Sequence, residues 1–277
     1  MNRSKLISVM AAAAAAGMLA GALAAPAGAQ DNRVVVPLSH PSQPDTVRVT
    51  TLNSSIAIHA YNGTQVIIET TGGSHHARPV PPGAQGMHRL DSSPGLNATE
   101  DNNVVTVSTS IFDGSPNLVI QVPVRTSLRV STVNGDSIEI DGVSGDISAE
   151  DTNGNIQLRN VSGSVVASAL NGNIHALVTH LDESKPSSFS SMNGTINVSL
   201  PAGTRANLRL KTAHGDIYMD NGFQFQETRS PSPEGERASN GRFRIRLDRA
   251  IYGTLNGGGP DIRVQNFNGN IYIHKGQ

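Results

Sequence analysis

The sequence predicts an all-β protein: a parallel β-helix, or β-solenoid, with two short strands in each coil of about 18–22 residues, plus loop excursions. Three observations support this fold class. A glycine-centred phrase recurs along the chain, its spacing is regular, and apolar residues alternate with polar ones around each glycine. Apolar residues stand two positions before, two after and four after the glycine. That period of two is typical of a strand with one buried face.

The repeating unit is a pair of strands rather than a single strand. In the regular array the glycines follow one another at intervals of 10, 9, 9 and 9 residues, and the preceding residue alternates between asparagine and serine. Successive Asn-Gly pairs begin at Asn134, Asn153, Asn171 and Asn193, a spacing that suits one coil with two strands and two turns. One coil buries little surface alone, so the coils are expected to stack and share a core.

The Asn-Gly corners are expected to form a column from coil to coil. Glycine adopts turn conformations that other residues avoid, and an asparagine amide can both donate and accept hydrogen bonds along such a column. We interpret this feature as structural rather than catalytic or ligand-binding. The predicted structural turn ladder consists of Asn134, Gly135, Asn153, Gly154, Asn171, Gly172, Asn193 and Gly194.

The N-terminus is predicted to direct export. Arg3 and Lys5 precede an apolar stretch at 6–25, which is followed by a small-residue site at 27–29. This pattern is typical of a secretory signal peptide, here residues 1–29, and predicts a periplasmic, outer-surface or secreted protein. An uncleaved membrane anchor is the alternative, because the apolar run approaches the roughly 20 residues that span a bilayer. Cleavage is favoured, and it would leave no transmembrane span.

The rest of the chain is expected to form one domain. After a lead-in at residues 30–44, which contains a predicted strand at 33–37, residues 45–277 are expected to form a single β-solenoid domain. Two stretches rich in glycine, proline and polar residues break the repeat and predict long loops at about 72–100 and 220–241.

The first predicted loop carries a histidine group, His75, His76 and His88. One hypothesis is a metal clip. The alternative is a surface excursion with solvated histidines, and it is favoured because adjacent histidines point in different directions and no well-spaced carboxylate completes a site. We therefore predict no metal ion and no cofactor.

The exit from the second predicted loop is a strictly alternating strand with three arginines on one face: Arg242, Arg244 and Arg246. These arginines are candidate binding residues for an anionic surface such as lipopolysaccharide or an acidic glycan. The alternative is a solvated outer face that also discourages edge pairing.

A glycine run at residues 257–259 is superficially similar to calcium-binding nonapeptide repeats. Those repeats need their motif in tandem, whereas here it occurs once and out of register with the array. A tight turn is therefore the favoured interpretation.

Composition argues against two classes of binding protein. Lys plus Arg number 21 against 22 Asp plus Glu, so the basic excess expected of a nucleic-acid binder is missing. The chain has no Trp, four Tyr and six Phe, which counts against a cleft that stacks on bases or sugars. It has no Cys either, so stability must come from packing and backbone ladders rather than from disulfides.

An enzyme is the main alternative, because β-helices host polysaccharide-degrading enzymes. Glycoside hydrolysis needs two carboxylates held across a cleft. Asp136, Asp146 and Asp216 instead follow repeat glycines, where turn-forming aspartate is expected anyway. The acidic pair Glu150 and Asp151 is interpreted as a solvated corner. With no catalytic motif apparent, we predict a protein that is not an enzyme.

The tandem Ser-Gly-Asp-Ile and Asn-Gly-Asn-Ile strands, the Asn-Gly-Gly-Gly-Pro-Asp-Ile turn and the closing Asn-Gly-Asn-Ile-Tyr-Ile phrase carry a family resemblance. Over roughly residues 45–275 the chain resembles the bacterial putative-adhesin domain of unknown function, related to the auto-transporter adhesin head (GIN) domains. The resemblance implies a parallel β-helix on an exported or surface protein, without catalytic residues. The expected function is an adhesin-like scaffold whose polar side faces meet an envelope polymer, a glycan or a protein, and not nucleic acid.

Overall fold

The structure is a computed structural model that describes residues 33–71, 95–109, 116–228, 235–237, 243–245 and 250–276. These ranges contain 23 β-strands and no helix, which confirms the all-β prediction. The described ranges therefore contain no helix that is long and apolar enough to cross a membrane. Residues 32–277 form one compact unit.

Most strands belong to two large sheets, and they are numbered here along the chain. Sheet A contains, in order across the sheet, β1 (Arg33–Pro37), β4 (Gln65–Thr71), β7 (Asn117–Pro123), β3 (Ile56–Tyr61), β9 (Ser137–Asp141), β11 (Asn155–Gly163), β13 (Ile174–Leu181), β15 (Ile196–Pro201), β23 (Ile271–Gly276) and β17 (Ile217–Met219). Sheet B contains β18 (Phe225–Thr228), β21 (Ile251–Leu255), β16 (Ala206–His214), β22 (Asp261–Asn268), β14 (Ser187–Asn193), β12 (Val165–Asn171), β10 (Ile147–Asp151), β8 (Thr126–Thr132), β2 (Asp45–Thr50), β6 (Val104–Thr109) and β5 (Leu96–Asp101). A separate antiparallel hairpin consists of β19 (Gly235–Arg237) and β20 (Phe243–Ile245).

Each coil of the solenoid places one strand in sheet B and the next in sheet A, as the two-strand repeat predicts. Strands of neighbouring coils pair in parallel; Ile147, for example, is in register with Leu128 on one side and Val165 on the other. The stacking order of the coils is β6/β7, β2/β3, β8/β9, β10/β11, β12/β13, β14/β15, β22/β23 and β16/β17. The parallel solenoid prediction is therefore confirmed.

Stacking order departs from chain order at both ends of the array. Coil β2/β3 lies between β6/β7 and β8/β9, and the last coil, β22/β23, lies between β14/β15 and β16/β17. Ile56 of β3 is accordingly in register with Leu118 on one side and Ile138 on the other. The first and last complete coils thus have parallel partners on both sides, and neither leaves an open sheet edge.

Antiparallel strands cover the ends of the stack. At one end β4 pairs antiparallel with β7 and carries β1, while β5 pairs antiparallel with β6. At the other end β21 pairs antiparallel with β16 and carries β18. These strands occupy backbone donors and acceptors that the terminal coils would otherwise expose.

Short strands overlap both of the stretches that the sequence predicts as long loops. Residues 96–101 of the first form strand β5, and residues 225–228 and 235–237 of the second form β18 and β19. β5 forms on the edge that β6 offers and β18 on the edge that β21 offers, and Leu96 and Phe225 of these two strands pack against the core. His75, His76 and His88 lie outside the described residues.

The core is a single cluster of inward-facing side chains from both sheets. Ile156 and Leu158 of β11 are buried, whereas Gln157 and Arg159 of the same strand are not, which confirms the predicted alternation. Phe189 is the largest fully buried side chain. Small apolar residues, mainly Val, Ile, Leu and Ala, fill the rest of the narrow space between the sheets.

Candidate functional site

The predicted ladder residues lie in one column at the corner where the chain passes from sheet B to sheet A. Asn153 Nδ2 donates to Asn134 Oδ1 (2.9 Å), Asn171 Nδ2 to Asn153 Oδ1 (2.9 Å) and Asn193 Nδ2 to Asn171 Oδ1 (2.8 Å). Every amide donates in the same direction along the stack. All these side chains are solvent-exposed, so the column runs along an outer edge of the solenoid.

The column is longer than the sequence spacing predicted. Asn134 also donates to Asn53 (3.0 Å), and Asn268 donates to Asn193 (2.8 Å). Asn268 was missed because its coil is last in the chain but stacks next to the coil of Asn193. Asn53 was missed because serine, not glycine, follows it. Together the six asparagines form what is called here the asparagine ladder.

Removing one rung of the asparagine ladder should reduce stability modestly. We expect Asn171→Ala to lower the free energy of unfolding by about 1 kcal/mol, the usual net contribution of a hydrogen bond, because its exposed neighbours can turn to water. Asn197→Ala is the matched control, since Asn197 on the outer face of β15 has no side-chain hydrogen bond among the described residues. Urea unfolding measures both variants. Equal losses in the two would contradict a structural role for the ladder.

A second polar column lies inside the same corner and is buried. Its side chains donate to backbone carbonyls of the neighbouring coil: Thr132 Oγ1 to Ser54 (3.2 Å), Ser191 Oγ to Gly172 (2.9 Å) and Asn266 Nδ2 to Gly194 (2.7 Å). Asp151 occupies the equivalent position in β10, in register with Thr132. We call this set the buried polar column.

The burial of Asp151 contradicts the interpretation of Glu150 and Asp151 as a solvated corner. The Asp151 side chain is only 3 % exposed, whereas the adjacent Glu150 faces solvent on the opposite side of β10. Burial raises the pKa of Asp151 to about 6, although hydrogen bonds from the N–H groups of Asn153 and Gly154 partly oppose the shift. Period-2 alternation explains the difference, because adjacent residues of a strand point to opposite faces. The two carboxylates cannot face one substrate together.

The other aspartates considered for catalysis are separated. Asp136, Asp146 and Asp216 each follow a corner glycine on the surface. Asp146 forms an ion pair with Lys185 (2.9 Å). Among the described residues, no group of three or more His, Cys, Asp or Glu side chains could hold a metal ion.

The outer face of sheet B carries a groove with a volume of about 770 Å³. Arg48 of β2 and Arg129 of β8 stand next to each other in it, in register. Hydroxyl groups and the acidic side chain of Glu150 line much of the rest. The Asp146–Lys185 ion pair contributes to the lining as well.

The arginine pair begins a row that crosses sheet B. In register order the row continues from Arg129 through Ser148, Val166 and Ser188 to Arg263 and Arg209. We call it the arginine row. The guanidinium of Arg209 lies over the ring of Tyr252, with its Cζ 5.5 Å from the ring centroid. No acidic side chain is in this row, although the whole chain has a net charge of −1.

The outer face of sheet A has a different character. Glu139 forms an ion pair with Arg159 (3.7 Å) near its centre. At its far edge the rings of Tyr218, Tyr272 and His274 are stacked, with centroids 5.1 and 6.1 Å apart. The stack joins the edge strand β17 to its neighbour β23 through side-chain contacts across the pair.

Of the three sequence-predicted binding residues, the described ranges include Arg244. Arg244 lies on strand β20, opposite Glu236 in the β19–β20 hairpin, and its side chain is not among those described. Arg242 and Arg246 lie outside the described residues. Sequence reasoning missed the arginine row because its members come from four strands that are distant in the chain, and only the stacking order brings them into register.

Comparison with known proteins yields one family and one solved structure. Residues 30–274 match the family described as Toastrack DUF4097. A crystal structure of a putative cell adhesion protein from Clostridium sporogenes ATCC 15579 aligns with 88% of this chain and 99% of that chain, at 8% identity and a TM-score of 0.37. At that TM-score the likeness supports no conclusion about this protein. No curated protein matches the chain. Since the family match spans nearly the whole described solenoid, this protein belongs to the Toastrack DUF4097 family.

Proposed function

We propose that this protein is a non-catalytic, adhesin-like scaffold, exported to the bacterial surface or periplasm, which presents its polar side faces to an envelope polymer or a protein. The main support for this proposal is the outer face of sheet B. From β2 through β8, β10 and β12 to β14, each strand adds at least one outward-facing serine or threonine at the strand spacing of about 4.8 Å. Such a surface offers the same hydrogen-bonding groups many times over.

Binding by this surface would depend on many weak contacts. The serines at the centre of the face illustrate the pattern: Ser168 and Ser190, in register on β12 and β14, join through their hydroxyls at 3.1 Å, and Ser148 and Ser188 lie in the neighbouring row. An extended partner lying across the strands would meet one or two hydroxyls per coil. Linked weak contacts of this kind add up to useful avidity.

A polysaccharide-degrading enzyme is the alternative function, and the geometry favours it less. The adjacent carboxylates Glu150 and Asp151 point to opposite faces of β10, and Asp146, which lines the same groove as Glu150, is held in an ion pair with Lys185. Hydrolysis needs two carboxylates on either side of one bond. Fold alone supplies no reaction.

Export and family kinship complete the proposal. The N-terminal sequence supports cleavage of a signal peptide after residue 29 and release of the solenoid outside the cytoplasm. Kinship with the GIN adhesin head domains remains a prediction from the Asn-Gly and Ser-Gly phrases. The partner itself is proposed as an envelope polymer, a glycan or a protein.

The scaffold function predicts binding that strengthens with the length of the polymer and involves no turnover. The mature chain, residues 30–277, would be tested against envelope glycans of increasing length while released reducing ends are assayed. We expect affinity to rise with length, and Ser148→Ala or Ser188→Ala alone to weaken binding less than about threefold, because each removes one contact of many. Ser199→Ala on sheet A is the matched control. New reducing ends would instead indicate an enzyme.

A further inference from the structure

We propose that the groove on sheet B is a binding site for anionic groups of a polysaccharide, with Arg48 and Arg129 as its central contacts. This inference rests on the proposed scaffold function and names the chemistry of its partner. The partner class is a glycan that carries repeated carboxylate, phosphate or sulfate groups.

The placement of the two arginines supports the site. They stand on neighbouring strands in register, both are exposed, and neither has an ion pair within the described part of the chain. Like charges directly opposite each other across strands destabilise a sheet. A bound anion would remove that repulsion, and two guanidinium groups side by side can each donate two parallel hydrogen bonds to it.

The arginine row extends the site beyond the groove. Arg263 lies four strands away from Arg129, about 19 Å at the usual strand spacing, and Arg209 follows it. The three intervening strands contribute Ser148, Val166 and Ser188, which are short side chains that leave the surface open. A single extended polyanion bound at Arg48 and Arg129 can therefore also reach Arg263.

The lining of the groove favours a glycan over an acidic protein. Thr46, Thr50, Ser127 and Ser131 surround the two arginines with hydroxyl groups, which match the hydroxyls of sugars. Protein interfaces rely instead on aromatic and other large anchors. The described lining of the groove contains no aromatic side chain, so it would hold a glycan by charge and hydrogen bonds rather than by stacking on sugar rings.

Glu150 is the one free acidic side chain in the groove, diagonal to Arg129 across the β8–β10 pair. It opposes anions in general and limits the affinity of the site. Neutralising it should therefore strengthen binding of an anionic glycan while leaving every arginine in place. Glu150→Gln should therefore raise the affinity for an anionic glycan, whereas the arginine substitutions should lower it.

The test compares binding of the mature chain to polygalacturonate, dextran sulfate, neutral dextran and poly-L-glutamate by biolayer interferometry at 50 and 150 mM NaCl. We expect both anionic polysaccharides to bind more tightly than neutral dextran, and more weakly at the higher salt concentration. R48Q/R129Q should lose at least about tenfold in affinity, and E150Q should gain about threefold. R33Q/R159Q makes the same change of net charge on sheet A and should bind like wild type.

The outcomes separate this inference from the scaffold function. If wild type binds neutral dextran as well as the anionic polymers, or if R48Q/R129Q and R33Q/R159Q behave alike, the anionic site is wrong while the scaffold stands. Binding to poly-L-glutamate alone overturns the glycan and points to an acidic protein. If no envelope polymer or protein binds at all, the scaffold function fails as well.

Discussion

Replacing Gly172 by alanine should destabilise this protein by at least about 3 kcal/mol, the range in which overpacking and backbone displacement combine. Gly172 begins the corner of the coil β12/β13, and a Cβ placed on it would overlap the backbone carbonyl of Gly154 in the neighbouring coil. That carbonyl is not the end of a flexible side chain. The two coils would have to separate, and both pairs of parallel ladders would stretch.

The same obstruction recurs along the corner. A Cβ on Gly194 would meet the carbonyl of Gly172, and a Cβ on Gly269 would meet the carbonyl of Gly194. Glycine is therefore required here by the close approach of successive coils rather than only by turn conformation. The requirement follows stacking order, because Gly269 contacts Gly194 although the two are far apart in sequence.

Gly203 provides the control for Gly172. It lies in a turn after β15, nothing lies within 4 Å of a Cβ placed there, and its φ is outside the left-handed region. Gly203→Ala should leave stability unchanged or raise it by up to about 1 kcal/mol through the unfolded chain. Thermal and urea unfolding of both variants measure the difference. A Gly172→Ala variant as stable as Gly203→Ala would mean that the coils can separate at little cost.

Local spacing was sufficient to predict the solenoid and its corners. Strand alternation in β11 and the Asn-Gly spacing between residues 134 and 193 carry that information within each coil. The order of stacking was not predictable, because the coils β16/β17 and β22/β23 carry a glycine phrase like that of the regular array and nothing local distinguishes their neighbours. The antiparallel end strands β5 and β18 were missed for a related reason, because a short polar segment forms a strand only beside an unpaired sheet edge.

The candidate site was less predictable than the fold. The arginine row depends on four separate strands coming into register, and its first pair, Arg48 and Arg129, comes from coils separated by the whole first excursion. The sequence instead drew attention to Arg242, Arg244 and Arg246, which alternate on one predicted strand. Alternation within a strand is visible in sequence, whereas adjacency between coils depends on the tertiary stack.

Replacing Asp151 by asparagine should stabilise this protein at neutral pH and have little effect in acid. The other residues of the buried polar column donate a hydrogen to a carbonyl of the next coil, as Thr132 does to Ser54. Within the described part of the chain, Asp151 Oδ2 has no hydrogen-bond partner, and it lies with the carbonyl oxygen of Gly135 beside the Cα of Gly154. An ionised carboxylate at this position places two hydrogen-bond acceptors next to each other. A protonated carboxyl group can instead donate its hydrogen to the neighbouring carbonyl oxygen.

The sign of the pH dependence follows from the raised pKa. Asp151 has a pKa of about 6 in the folded protein against an ordinary value of 3.8, so the folded state holds the proton more tightly. The stabilisation from this proton is complete below about pH 3.8 and is lost as pH rises through about 6. The shift corresponds to about 3 kcal/mol of stability that the protein lacks at pH 8.

Asparagine reproduces the protonated carboxyl at every pH. It keeps an oxygen to accept from the Asn153 N–H (3.1 Å) and adds an amide donor in place of the acidic hydrogen. Asp151→Asn should therefore raise the free energy of unfolding by up to about 3 kcal/mol at pH 8, with the gain falling towards zero at pH 4. Urea unfolding at several pH values measures the difference from wild type, in which most contributions of other titrating groups cancel.

Asp136 supplies the matched control for Asp151. It is an exposed aspartate at the corner of the neighbouring coil, and Asp136→Asn makes the same chemical change outside the buried polar column. That variant should track wild type at every pH. A gain for Asp151→Asn that is the same at pH 4 and pH 8 would mean that packing, not protonation, sets its stability. A loss at pH 8 would show that the ionised carboxylate has a favourable partner inside the corner.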